Sequence, residues 1–435
     1  MGRTKAIPGS GFLKGPIGAL SGIGLACAVA ISWPIILEVV SCSAAYADES
    51  KPAALRPEIA KPVQEAQRAL VAKKYNEALA RLKEADEVAN KTPYEEAIVE
   101  QLRLIAAIGA QEPATAAKAF DALRAGGSLD LNQQIKFTQA IAKAYREAKD
   151  YQAAATWIER YFSAGGADLS MRSLLAQSYF QNNDFANCTK SSNEAISAFE
   201  KAGQRPPETL YQLLTTCATK QNDKSAYVAA LERLTGAYPK PENWAALLHQ
   251  VVTKPGFPDT RLGLDIFRLQ AATGGLTKAD QYIEFAEIAM QAGLPAEAKA
   301  VLDKGYAGGV LGTGPEADRH GRLRDMAKHE LEANQAGLAN AEAEAGKQPT
   351  GSALVAAGIN AYGYGQYDKA INLIQAGIAK GGLANSDDAK LHLGIVELAA
   401  GKEGQGVATL KSITSGNAVN DIARLWLIKT TGHQQ

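Results

Sequence analysis

Apolar residues recur along this chain in runs about one helix long, separated by short polar or glycine-bearing breaks. From Leu354 to Lys380, two such runs flank Tyr364-Gly365-Gln366-Tyr367. Small residues stand at Gly358, Ala361, Ala370 and Gly377, where paired helices would have to touch closely, and Tyr367 is followed by Ala370 and Ile374. Spacings of three and four put such residues on one helix face. The helical period starts at Ile59 and continues almost to the end of the chain. The break before the second run of each pair falls at Tyr75, Pro113, Tyr151, Phe185, Lys224, Pro295, Tyr367 and Glu403, at intervals of 38, 38, 34, 39, 71, 72 and 36. The two long intervals are near twice the others, so each is expected to hide an altered unit. A period near 36 with two helices per unit predicts a solenoid in which each pair buries its faces against its neighbours.

One arrangement recurs within the units. Ala142, Tyr145, Tyr151, Ala154, Ile158 and Tyr161 set a small residue and an aromatic in the first helix, then an aromatic, a small and a bulky residue in the second. Ala66, Ala69, Tyr75, Ala78, Leu82 and Ala85 keep the spacing without the first aromatic. Ala176, Tyr179, Phe185, Cys188, Ser192 and Ala195 match with Cys and Ser as the small residues, and Gly394, Gly406, Leu410 and Ile413 match without aromatics. The pattern resembles the tetratricopeptide repeat family over roughly residues 59–415, although the family's early Trp is missing and a closing Pro is clear only at Pro239. The resemblance implies an all-α, right-handed α–α superhelix of about eight or nine helical pairs. It also implies a concave groove, lined by first helices, that grips segments of other proteins.

Around this array, residues 1–47 read as an export signal. Arg3, Lys5 and Lys14 precede an apolar run from Ile17 to Val40, and Ala45-Tyr46-Ala47 offers a cleavage pattern. A retained membrane anchor and lipidation at Cys42 are the other readings of the same stretch, and all three place the chain outside the cytoplasm, in a periplasm. Membrane contact is then expected only through this segment. Residues 48–58 read as a flexible lead-in and 59–307 as the main array. Residues 308–349 read as an irregular insert with a polar helix from about Leu323 to Ala345, either an elongated repeat or an element that projects towards a partner. Residues 350–415 read as a C-terminal pair and 416–435 as a capping helix and tail. That helix, Val419 to Lys429, is expected to lay Leu425, Trp426 and Ile428 over the last exposed repeat face. The segment from Pro241 to Gly275 blurs the repeat through a long inter-helix loop.

Charge narrows the partners. The chain has 46 basic and 46 acidic residues, and without residues 1–47 it has 43 and 45, so bulk attraction to nucleic acid is not expected. Two cysteines lie in the array, Cys188 early in a second helix and Cys217 late in the next first helix. At similar height on adjacent helices of an exported chain they are a candidate disulfide; separate burial in alanine-like slots is the alternative. No histidine stands at metal-ligand spacing: His392 reads as a partly exposed surface residue, and His320 and His329 as part of a solvated charged face. The glycine clusters at 126–127, 165–166, 308–314 and 381–382 follow helices rather than strands, so they read as helix terminators and not as phosphate loops. No nucleophile or paired-carboxylate motif stands out, so no enzyme activity, cofactor or metal is expected.

In the register of the resemblance, the groove positions are Lys136, Gln139, Lys143 and Arg146 in one unit. Ser173, Gln177, Phe180 and Gln181 follow in the next, then Gln212, Thr216 and Lys220. Basic and amide side chains suit an acidic segment or a C-terminal carboxylate. The expected function is a non-catalytic scaffold or adaptor for protein partners in a bacterial cell envelope. The rival is an accessory subunit of a cell-wall or polysaccharide system that touches glycan, for which Tyr362, Tyr364 and Tyr367 are the nearest aromatics, with Tyr367 read as core.

Overall fold

The computed structural model describes residues 54–432, so the export-signal, Cys42 and anchor readings lie outside the described residues. Among those described, the chain is all-helical, with twenty α-helices and no strand. Ten helices form the first five pairs: α1 (Pro57–Val71) with α2 (Tyr75–Asp86), α3 (Pro93–Gly109) with α4 (Pro113–Ala125), α5 (Leu131–Glu147) with α6 (Tyr151–Ser163), α7 (Leu169–Gln181) with α8 (Phe185–Lys201), and α9 (Glu208–Lys220) with α10 (Lys224–Ala237). Then come α11 (Pro241–Val252) with α12 (Asp259–Ala272), and α13 (Ala279–Gln291) with α14 (Pro295–Ala307). A single long helix, α15 (Ala317–Lys347), precedes α16 (Ser352–Gly363) with α17 (Tyr367–Lys380) and α18 (Ser386–Ala399) with α19 (Glu403–Lys411). The last element is α20 (Ala418–Thr431).

All eight breaks found in the hydrophobic pattern are first residues of second helices, and one turn explains why. Two residues before each helix start the backbone enters the left-handed region, at Lys73, Gln111, Lys149, Asn183, Asn222, Gly293, Gly365 and Gly401. There the N–H of the next residue reaches the carbonyl five positions back, as from Asp150 to Tyr145 and from Gln366 to Ala361, which closes the first helix. Asp150, Asp184 and Asp223 then cap the following helix through their side chains. Only glycine adopts the left-handed conformation without strain. Lys149→Gly is therefore expected to stabilise the chain by about 0.5–1 kcal/mol, read as a raised urea midpoint; an unchanged or lowered midpoint would refute it.

The two long intervals resolve differently. The first holds an ordinary pair whose second helix begins at Asp259, 35 residues after Lys224 and 36 before Pro295. It lacks the usual turn because residues 253–258 carry Pro255 and Pro258. The second is filled by α15, one helix of 31 residues. Its inward residues Leu323, Ala327, Leu331, Asn334, Leu338, Glu342 and Ala345 repeat every eleven positions, a period close to that of a straight α-helix. Its start therefore packs on α13 and α14 and its end on α16.

Successive first helices touch one another (α1 with α3, α3 with α5, α7 with α9, α16 with α18), while second helices pack against the flanking first helices. The first helices thus line the inside of the curve, and the fold is an α–α superhelix. Small residues permit the close crossings within pairs. A Cβ at Gly377 would lie 2.7 Å from the Gly351 carbonyl oxygen, and one at Gly406 would lie 3.0 Å from that of Gly394.

The closing helix does more than cap the last pair. Apolar side chains cover over half of its circumference, with Val419, Ile422, Ala423, Leu425, Trp426 and Leu427 all buried. It packs on α18 and α19 but also on α10, α11 and α12. The array therefore folds back on itself. Lys254 meets Asp421 at 2.6 Å, Arg424 meets Glu232 at 2.8 Å, and Arg261 pairs with Asp388. Pairs one to four share one apolar core, and the returning segment shares a second with α8 to α12. Cys188 and Cys217, with Cα atoms 6.3 Å apart, are joined as a disulfide between α8 and α9, where these cores meet.

Candidate partner-binding face

The last helix packs on α10 to α12 and leaves the first helices α1 to α9 uncovered by it. Every groove position read from the sequence falls there. On α5, Lys136, Gln139, Lys143 and Arg146 are spaced three, four and three apart and form one stripe along the helix. Two of them tie into the next repeat: Gln139 donates to Asp168 at 3.0 Å, and Arg146 donates to Gln177 at 2.9 Å. The structure thus joins α5 and α7 through side chains already assigned to the groove.

The other positions divide. Lys143 and Lys220 are exposed and have no hydrogen-bond or ion-pair partner among the described residues. Ser173 is half-buried and Gln181 exposed. Thr216 donates its hydroxyl to the Gln212 carbonyl at 2.7 Å, and Gln212 reaches Glu208 at 3.3 Å, so both serve their own helix. Phe180 differs from the expectation. Its ring packs 6.0 Å from that of Phe185 against the first core, so it holds the α7–α8 turn and does not stand free in a groove.

The carboxylates beside this strip are engaged. Glu147 accepts from Gln111 at 3.1 Å, Asp168 also caps α7, and Glu208 pairs with Lys240 at 2.8 Å. Hydrogen-bonded within the chain, these carboxylates leave Lys143 and Lys220 as the cations of the strip with no internal partner among the described residues. One neighbouring patch was missed. Counting back from Pro113 as from Tyr151 puts Ile98, Gln101, Ile105 and Ile108 of α3 at the same register, and all four are half-buried. Beyond them Val71 is 73% exposed. The signal was present in the spacing, but aliphatic residues in a helical run read as core.

A second cluster crosses the fold. Arg268 donates bidentately to Glu297 at 2.7 Å and to Asp265 at 2.9 Å, with all three buried. His392 is partly exposed, as read, but its Nε2 lies 3.1 Å from Asp265, across 127 residues of chain, so it belongs to this cluster and not to a solvated surface. Burial works to raise the Asp265 carboxyl, but His392 and Arg268 facing it outweigh burial and hold it down to about 2. Tyr362 lies with its ring 5.9 Å from the Arg268 guanidinium, and burial pushes its phenol up to about 12. Apart from His392 Nδ1, which is buried without a partner, the polar atoms of the charged residues face one another, so the cluster is a seam between α12, α14 and α18.

His320 is likewise buried rather than part of a solvated face, because its ring accepts from the Gly312 N–H. Tyr367, read as core, is 37% exposed, while Tyr364 donates to Asn334 at 2.8 Å. The Tyr362 and Tyr367 rings pack against each other, with centroids 6.1 Å apart. Among the described residues no group of His, Cys, Asp and Glu is placed to hold a metal ion, and no helix is long and apolar enough to cross a membrane.

No protein-family model matches the chain, and no curated protein matches it. Among solved structures it is similar to yeast Tom70, with 10% identity over 85% of this chain and 95% of that one and a TM-score of 0.22. It is also similar to the APC/C hetero-tetramer Cut9-Hcn1, with 14% identity over 85% and 96% and a TM-score of 0.19. Neither likeness bears on shape or partner at such scores. The tetratricopeptide-like character rests on the pairs, turns and first-helix contacts described above.

Proposed function

We propose that this chain is a non-catalytic interaction scaffold that holds an acidic segment of another protein along the inner face of α5, α7 and α9. The observation that carries the reading is the imbalance on that face: the neighbouring carboxylates are engaged, while Lys143 and Lys220 are not. Opposite charge supplied by a partner gains most where no internal partner competes. The half-buried isoleucines of α3 extend the strip and suit the apolar side of the same segment. The basic start and apolar run of residues 1–47 support export, so the proposed place of action is the bacterial cell envelope. A glycan-contacting role has less support, because Tyr362 is half-buried against Tyr367 and Tyr364 is engaged by Asn334.

The test is affinity capture from native envelope extract with the chain from Asp48 onwards, beside a Lys136/Lys143/Arg146 triple-Ala variant. Three exposed cation–carboxylate contacts at ~0.2–1 kcal/mol each predict a partner bound about tenfold more weakly by the variant. Loss of binding should also follow a rise in salt. A partner held equally by both proteins would refute the α5 stripe as the interface, and capture of nothing would count against the scaffold itself.

A further inference from the structure

A cleft of about 470 Å³ opens between the first turns of α13 and the segment from Thr313 to His320. Its α13 wall carries Asp280, Glu284 and Glu287, spaced four and three apart and so on one face. Counted back from Pro295, Asp280 and Glu287 occupy the register that Lys136 and Lys143 hold on α5. The inner face has reversed its charge. Asp280 accepts from the backbone of Gln281 at 3.0 Å, and Glu287 shares Arg319 at 3.4 Å. Glu284 has no ion-pair partner among the described residues. Glu284 is exposed, and partial desolvation, followed by Asp280 and Glu287, pushes its carboxyl up.

The independent observation is His320, which is only 5% exposed yet lines this cleft. The Gly312 N–H donates to its Nδ1 at 3.3 Å, so the ring proton sits on Nε2. That N–H has no acceptor among the described residues. Within the described residues, Glu284 thus has no cation and the His320 Nε2–H no acceptor, and both are open to a ligand in the cleft. Among the described residues these carboxylates are not grouped so as to hold a metal ion.

We propose that this cleft binds a basic residue of a peptide chain, its cation at Glu284 between Asp280 and Glu287, and its backbone carbonyl on the His320 Nε2–H. Arg319, bridging Glu287 and Glu316 at 3.4 and 3.6 Å, forms the outer wall. A lysine or arginine supplies both missing groups at once, whereas a simple amine supplies only the first. The site does not depend on the α5 strip, and the two surfaces would read opposite charges.

The experiment uses the chain from Asp48 onwards with ¹⁵N-labelled histidine, following the His320 ring resonances, assigned with His320→Gln. The probes are N-acetyl-lysine N-methylamide, its uncharged norleucine analogue, and cadaverine, which carries ammonium groups without carbonyls. The lysine derivative should shift His320 saturably at about millimolar concentration, cadaverine about fivefold more weakly, and the norleucine analogue not at all. Glu284→Gln, at an exposed position, should weaken the lysine derivative about fivefold while leaving the free-protein resonances in place. No saturable shift below about 20 mM, equal binding of the norleucine analogue, or cadaverine as tight as the lysine derivative would each overturn the assignment.

Discussion

Deletion of residues 417–435 is expected to destabilise the folded-back half of the array by on the order of 10 kcal/mol, while α1 to α8 stay folded. The segment removed includes Val419, Ile422, Leu425, Trp426 and Leu427, all buried between α10–α12 and α18–α19. Losing one large buried side chain costs about 2–5 kcal/mol, and a whole domain is stable by only about 5–15 kcal/mol. Two ion pairs that reach across the chain, Lys254–Asp421 and Glu232–Arg424, go with it. The first four pairs rest on a separate core, and the Cys188–Cys217 bond ties α9 to α8 at their boundary. Hydrogen exchange should therefore show protection lost over α10 to α12 and α18, and kept over α3 to α8. Undiminished protection of α11 and α18 would show that the fold-back does not depend on α20. Trp426→Ala probes the same contact alone and should cost about 3–5 kcal/mol.

The pairs were legible in the sequence because their signals are local. A left-handed residue, a cap and the first residue of the next helix lie within four positions, so the breaks at Tyr75 or Tyr367 could be placed to the residue. The positions proposed for the groove on α5, α7 and α9 are read from the same register, and the Phe180 ring among them packs beside that of Phe185. The fold-back was not legible. Asp265 and His392 are 127 residues apart and Lys254 and Asp421 are 167 apart, and no local period reports such contacts. In sequence Asp265, Arg268 and Glu297 look like ordinary solvated helix charges, since i,i+3 pairs of this kind decorate most exposed helices. What distinguishes them is burial by helices that arrive much later in the chain.

Arg268→Met is expected to cost about 3–5 kcal/mol at neutral pH, because it leaves Asp265 and Glu297 buried without their guanidinium. The pH dependence separates this mechanism from simple loss of packing. In the native chain the Asp265 carboxyl is held down to about 2, below its unfolded value near ~3.9. Its contribution is therefore full above pH ~4 and drains as pH falls from about 4 to about 2. In the variant His392 still faces Asp265, but Glu297, buried and without its guanidinium, takes up a proton more readily than it does unfolded. Folded-state values raised in this way give stability that is present at low pH and lost as pH rises. Urea midpoints at about pH 3, 5 and 7 should thus rise from pH 3 to 5 and then level for the native chain, and fall towards pH 7 for Arg268→Met. Parallel profiles, or a loss below about 1 kcal/mol, would mean that solvent reaches the cluster and that the charges at the α12–α14–α18 seam are individually dispensable. A triple replacement, Asp265→Leu, Arg268→Met and Glu297→Leu, removes all three charges together and should recover most of the lost stability, since apolar groups of similar volume replace buried ion pairs at little cost. Recovery without a pH slope would assign the penalty to unpaired charge and not to the shape of the arginine side chain.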